Sequence, residues 1–178
     1  NNATTALDAA VLESMLPYMG DHHGNPSSLH AAGREARKAM DAARRQVARL
    51  INARPRRICF TGGGSEADNL ALKGIAFASG DNGRQIITSS VEHPAVLSTC
   101  EFLKRVGYDI SFLEVDEDGW VGPDSLRKVI TDDTILVSIM MANNEVGTIL
   151  PIKELCEVAH EKGALFHTDA VQAVGKIK

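Results

Sequence analysis

The chain has 178 residues, with 19 Lys plus Arg against 23 Asp plus Glu and a formal net charge of −4. That balance argues against a general polyanion binder, which carries a strong basic excess, and 44% hydrophobic with 24% charged residues argues against disorder. A folded body of this size buries roughly 70% of the surface its unfolded chain exposes, and no apolar run approaches the ~20 residues of a membrane span.

In chain order, Leu7, Val11, Leu12, Met15 and Leu16 recur at helical spacing and predict a helix over 7–19, broken by Gly20 and Gly24. Ser27 and Ser28 read as the N-cap of the next helix. That helix runs from His30 to Ile51, with Ala36, Ala39, Met40, Ala43, Val47, Leu50 and Ile51 along one stripe. Its arginines lack interleaved aromatics, so they read as a solvated face rather than a nucleic-acid contact. After Pro55, short apolar runs at 57–61, 85–90, 108–115, 134–140 and 164–168 alternate with helical segments. Such alternation predicts an α/β fold: a mostly parallel sheet with helices on both faces. Residues 1–54 read as a helical N-terminal arm or lobe, and residues 55–178 as the α/β domain.

Cys59, Cys100 and Cys156 are widely spaced, matching neither a disulfide framework nor a paired metal-ligand motif. Each lies in an apolar stretch and reads as a packed thiol in a reducing, cytoplasmic compartment. The first residue is Asn1 rather than Met, which reads as a start that is processed or lies outside this sequence.

Ligands of open parallel sheets bind beyond the carboxyl ends of the strands, and four predicted strand ends carry chemistry. The first, Thr61-Gly62-Gly63-Gly64-Ser65-Glu66-Ala67, passes into a helix whose free N–H groups and dipole favour a phosphate, with a hydroxyl from Ser65. Gly62, Gly64 and Ala67 also satisfy G-x-G-x-x-A, so a dinucleotide oxidoreductase competes, although the acidic residue that would follow, Glu92, comes late and in a loop. A tight turn without ligand is the plain alternative. The second end places His93 before Pro94, where an imidazole stacks on a planar ring, shuttles a proton, or merely caps a helix. The third, Asn143-Asn144-Glu145, is a turn or a set of polar groups seeking partners. In the fourth, Asp169 follows a short apolar strand, where a carboxylate needs a cation or donors to stay ionised. A pyridinium N–H is one such cation. A helix N-cap is the alternative, and a metal site with His167 has too few ligands.

Six segments resemble one family throughout their wording: NNATT at Asn1 to Thr5, GNPSSLH at Gly24 to His30, FTGGGSEADN at Phe60 to Asn69, EHPAVL at Glu92 to Leu97, NNEVGT at Asn143 to Thr148 and FHTDAVQAVGK at Phe166 to Lys176. Together they resemble the cysteine desulfurases of the NifS/IscS type, fold-type I pyridoxal-phosphate enzymes of the class V aminotransferase family. The resemblance implies that Gly64 and Ser65 hold the cofactor phosphate and that His93 stacks on the ring and exchanges protons. It also implies that Asp169 pairs with the pyridine nitrogen, and that Asn144 and Gln172 reach the ring hydroxyl or the substrate side. The family's usual Ser-Gly-Ala-Thr or Ser-Gly-Cys-Thr is Gly62-Gly63-Gly64-Ser65 here, which keeps the hydroxyl.

The implied substrate is L-cysteine, converted to L-alanine as sulfur passes to an enzyme persulfide that supplies an iron–sulfur scaffold or another acceptor protein. A homodimer is implied, with no membrane and no direct nucleic-acid partner. The Schiff-base lysine and the sulfur-accepting cysteine are expected beyond Lys178. Lys176, Lys178, Cys59, Cys100 and Cys156 match neither position, so the chain reads as the N-terminal portion of such an enzyme, inactive by itself. A selenocysteine lyase, another class V aminotransferase and a non-catalytic subunit are the alternatives.

Overall fold

The computed structural model describes residues 3–177, so Asn1 and Asn2 of the first matching segment and Lys178 lie outside the described residues. The chain divides into two compact units, one from Ala3 to Phe60 and the other from Thr61 onward.

In the first unit, helix α1 spans Ala9–Met19 and starts at Asp8, whose Oδ1 accepts the Ala10 N–H at 2.8 Å. Its apolar residues, Leu12, Met15 and Leu16 among them, are exposed. Helix α2 spans Ala31–Leu50 and is capped by His30, whose Nδ1 accepts the Gly33 N–H at 3.2 Å. The expected serine cap is thus corrected: the turn before α2 is closed by Asn25, whose Oδ1 takes the Ser27 N–H at 2.9 Å. Late in α2 the Arg44 guanidinium lies 4.8 Å from the centre of the Phe60 ring, a cation–π contact.

The expected strand at 57–61 does not form. Pro55–Arg57 is a single 3-10 turn, and the following residues, though Ile58 has extended angles of φ −83° and ψ 125°, join no ladder. Extended backbone becomes a strand only where a neighbour supplies the facing donors and acceptors.

Among its described residues the second unit holds four strands: β1 Gln85–Ser89, β2 Asp109–Leu113, β3 Thr134–Ser138 and β4 Leu165–His167. All pair in parallel, in the order β2-β1-β3-β4. Helix α3 spans Gly64–Ser79, α4 Pro94–Arg105, α5 Pro123–Val129 and α6 Ile152–Glu161. The α/β class with a parallel sheet between helices is therefore as expected. Both central strands, β1 and β3, are buried along their whole length, as expected of strands covered on both faces, while β2 at the edge buries only Ile110 and Leu113. Neighbouring residues point to opposite faces. Ile86 and Leu136 join Leu72 of α3 and Leu103 of α4 in one core, whereas Ile87 and Val137 join Leu126 of α5 and Leu155 of α6 in the other.

Between α3 and β1 the chain turns at Gly83, where φ is 135° and an added Cβ would stand 2.5 Å from the Asp133 carbonyl oxygen. That carbonyl also accepts the first N–H of β1, from Gln85 at 3.1 Å. Gly83→Ala is expected to destabilise the fold by about 1 to 3 kcal/mol, read from chemical denaturation. An unchanged midpoint would show that the turn relaxes without cost.

Strand order decides where a ligand goes. From β1 the chain crosses to β2 on one side and then to β3 on the other, so the loops leaving β1 and β3 diverge and open a crevice at the carboxyl edge.

Candidate functional site

The loop after β1 carries Glu92 and His93, and His93 caps α4: its Nδ1 accepts the Ala95 N–H at 3.1 Å. Accepting there places the ring proton on Nε2 and leaves the exposed ring free to meet a planar ligand. The capping alternative is thus real, and it is compatible with stacking.

Glu92 points inward and is only 4% exposed. Its Oε1 accepts the Ser89 hydroxyl at 2.6 Å and the Met140 N–H at 2.9 Å, tying the loop after β1 to the end of β3. Oε2 is buried without a hydrogen-bond partner among the described residues. Burial pushes this carboxyl up to about 7, against those two hydrogen bonds and with help from the nearby charges of Asp169 and Asp68.

After β3, Asn143 organises the turn rather than facing outward. Its side-chain amide donates to the Val91 carbonyl at 3.0 Å, while its Oδ1 accepts the N–H groups of Glu145 and Val146 at 2.9 and 3.0 Å. Asn144 is thereby presented half-buried at the mouth of a cleft of about 570 Å³ that Glu92, His93 and Asp116 also line.

The end of β4 is held by β3: the Ile139 and Met141 N–H groups donate to the carbonyls of His167 and Asp169 at 3.1 and 2.9 Å. Asp169 is half-buried, and its Oδ1 accepts the Val171 N–H at 2.9 Å; it closes a tight turn but caps no helix among the described residues, which corrects the N-cap alternative. Gln172 follows in that turn, half-buried.

Helix α3 begins beside this segment. A Cβ built on Gly64 would stand 3.2 Å from Val171 Cγ2, so the glycine allows a close approach. No side chain caps the helix at Gly63; the Glu66 carboxylate takes the Gly62 N–H at 2.6 Å, and Ser65 is exposed in the first turn. An uncapped helix N-terminus with a hydroxyl is a receptor for an anion.

One turn further along α3 stands a residue that sequence reasoning missed. Asp68 is 4% exposed and shares the buried face of α3 with Leu72 and Ala76. A carboxylate in phase with an apolar stripe was the available signal. Burial, then the charge of Asp169, raise it to about 6, while His93 acts in the opposite direction. Its Oδ1 lies 3.7 Å from His167 Nε2, and the other ring nitrogen of His167 is 2.8 Å from the Ser138 hydroxyl. At 3.7 Å this is an ion pair only with a protonated imidazole, and burial, the larger influence on His167, holds it neutral.

The loops after β1 and β4 and the start of α3 thus bring Asp68 within electrostatic range of His93 and Asp169, and Glu92 within range of Asp68 and Asp169, with the first turn of α3 alongside. Three carboxyls so close favour a cationic guest. A buried Thr168 hydroxyl without a partner among the described residues, next to Asp169, is a further polar atom awaiting one. The donor set fits an anionic phosphate at α3 joined to a ring with a cationic N–H at Asp169, which is the outline of pyridoxal phosphate. Among the described residues no group of His, Cys, Asp and Glu has a metal-binding arrangement.

The family described as aminotransferase class-V matches residues 1–178. The chain belongs to that family. Among class-V relatives, the cysteine desulfurase IscS of Methanosarcina thermophila is 53% identical over 177 residues, covering 99% of this chain and 44% of the relative. The putative cysteine desulfurase IscS 1 of Bacillus subtilis is 53% identical over 173 residues, 97% of this chain and 46% of the relative. Of solved structures, a NifS-like protein superposes with a TM-score of 0.95 at 42% identity, over 99% of this chain and 49% of that one. A second, described as SspA in complex with cysteine, has a TM-score of 0.93 at 40% identity, over 97% of this chain and 50% of that one. This class-V chain therefore spans under half the length of the curated relatives it matches. The dinucleotide reading finds no support in the geometry, because no paired strand precedes the glycines of α3 among the described residues.

Proposed function

We propose that the whole protein is a pyridoxal-phosphate-dependent cysteine desulfurase. The observation that carries this reading is the convergence of the uncapped start of α3, the ring of His93 and the carboxylate of Asp169 at one sheet edge, in a chain whose relatives bear that name. Gly64 and Ser65 hold the phosphate, and His93 stacks on the ring. Asn144 and Gln172 reach the ring hydroxyl or the substrate side, and Asp169 keeps the ring nitrogen protonated. Bound in this way, pyridoxal phosphate supplies an electron-accepting ring for bond breaking at the substrate.

The chain's own residues do the rest. His93 offers Nε2 for proton exchange with substrate while its Nδ1 remains committed to the helix cap. The lysine that carries the cofactor and the cysteine that takes the sulfur lie outside these 178 residues. Cys100 is fully buried, with its thiol pushed up to about 12 by burial, and burial likewise raises Cys156, so neither supplies a thiolate near neutral pH. In the reaction that thiolate elsewhere attacks the sulfur of L-cysteine, the carbon–sulfur bond breaks, and alanine leaves as an enzyme persulfide forms. L-cysteine as substrate has the support of the structural relative described with cysteine. The persulfide feeds an iron–sulfur scaffold or another sulfur acceptor, and the enzyme works as a cytoplasmic homodimer. No helix among the described residues is long and apolar enough to cross a membrane.

Supplied with pyridoxal phosphate, L-cysteine and a thiol reductant, the whole protein is expected to release alanine and sulfide in equal amounts, and residues 1–178 alone none. Absence of alanine from the whole protein would overturn the reading. Turnover confined to selenocysteine would replace it by a selenocysteine lyase, and alanine from residues 1–178 would overturn the placement of the lysine and thiol.

A further inference from the structure

Three side chains from three elements form a line beneath the site: Ser138 at the end of β3, His167 at the end of β4 and Asp68 on α3. The order hydroxyl, imidazole, carboxylate is that of hydrolase triads, yet Ser138 is completely buried, so its hydroxyl has no substrate to attack. The line has another use. Ser138 lies on the same face of β3 as Leu136, which packs against Leu72 of α3, so the chain of contacts runs straight from the sheet to that helix. At its two ends stand the groups that matter. Asp68 lies one turn from Gly64 and Ser65, and His167 lies two residues before Asp169.

We propose that Ser138, His167 and Asp68 form a positioning chain that sets the separation between the first turn of α3 and Asp169, and thereby the fit of a guest carrying both a phosphate and a cationic ring nitrogen. This rests on the reading of the site given above. The polarity of the chain is fixed by its carboxylate end. An ionised Asp68 draws the imidazole proton to Nε2, which leaves Nδ1 to accept the Ser138 hydroxyl at 2.8 Å. The backbone bonds from Ile139 to His167 and from Met141 to Asp169 carry that restraint to the carboxylate two residues on. The charged and titratable groups facing the chain are Asp169 after β4, which acts on both Asp68 and His167, and His93 and Glu92 after β1, each coupled to Asp68. Loss of the Asp68 charge removes the bias on the imidazole proton and loosens the line.

The test uses the whole protein, with two readouts. In the cofactor-free protein, nitrogen-15 NMR of the His167 ring at pH 7.5 is expected to show the Nε2–H tautomer, and Asp68→Asn to abolish that preference. Titration with pyridoxal phosphate, followed by absorbance, is expected to give a Kd raised about 10- to 100-fold in His167→Leu, the range for groups that orient a ligand's direct partners. His167→Gln, whose amide keeps a polar N–H group facing Asp68, should recover most of the loss, and Ser138→Ala, which removes the smaller partner, serves if His167→Leu does not fold. An Nδ1–H tautomer in the unmodified protein, or an unchanged Kd in folded His167→Leu or Ser138→Ala, would overturn the chain alone. Failure of the unmodified protein to bind pyridoxal phosphate would overturn the cofactor reading, and with it any bearing of the chain on cofactor fit, whatever tautomer is seen.

Discussion

Replacing Asp169 by alanine in the whole protein is expected to lower turnover of L-cysteine about 100- to 1,000-fold, the usual cost of deleting one preorganised electrostatic group. The fold should survive, because β3 holds this residue through its backbone: the Met141 N–H donates to the Asp169 carbonyl, which alanine keeps. What is lost is the carboxylate proposed to pair with the ring nitrogen and one side-chain bond to the Val171 N–H. A second consequence is visible without cofactor. The Asp169 charge raises both Asp68 and Glu92, so its removal should move both carboxyls toward their ordinary range. Unchanged kcat together with unmoved carboxyl titrations would remove Asp169 from the site.

Glu92 predicts a pH dependence of stability with a definite sign. Its carboxyl lies near 7 in the folded chain against an ordinary 4.5, so protonation favours the folded state. The contribution is complete below pH 4.5 and is lost as pH rises through about 7, on the order of 3 kcal/mol over that window. Glu92→Gln keeps a carbonyl oxygen for Ser89 and Met140 and removes the titration. Unmodified protein should therefore lose more stability between pH 5 and pH 8 than the variant, measured by chemical denaturation at both values. Carboxyls that do not act on Glu92 titrate in both proteins and cancel in the comparison, so the difference reads Glu92 together with its coupling to Asp68 and Asp169. Equal losses would mean that Glu92 is solvated in solution.

Much of the second unit is legible from periodicity. The runs at 85–90, 108–115, 134–140 and 164–168 all hold strands and alternate with helices as expected, and the central pair reads most plainly because strands buried on both faces are mostly apolar. The run at 57–61 fails for a reason that no local pattern contains, since a strand requires a paired neighbour. Likewise Ser27 and Ser28 have capping chemistry, but the chain geometry gives the cap of α2 to His30.

Motif wording and the rule of strand ends led to Gly64, Ser65, His93, Asn144, Asp169 and Gln172, and so to a cofactor hypothesis and a family. Those inferences depend on short segments whose meaning is local: a glycine run before a helix, a histidine before proline, an aspartate after an apolar strand. Asp68, Ser138 and the inward turn of Glu92 were hidden from such reasoning. A buried carboxyl takes its properties from what surrounds it, and here the surroundings come from α3, β1, β3 and β4 together. Sequence by itself determined which chemical groups stand at the strand ends. Only the tertiary structure decided that His93 and Asn144 line one cleft and that Asp68, Glu92 and Asp169 act on one another, because desolvation and charge coupling act through space over a few ångströms, whatever the separation along the chain.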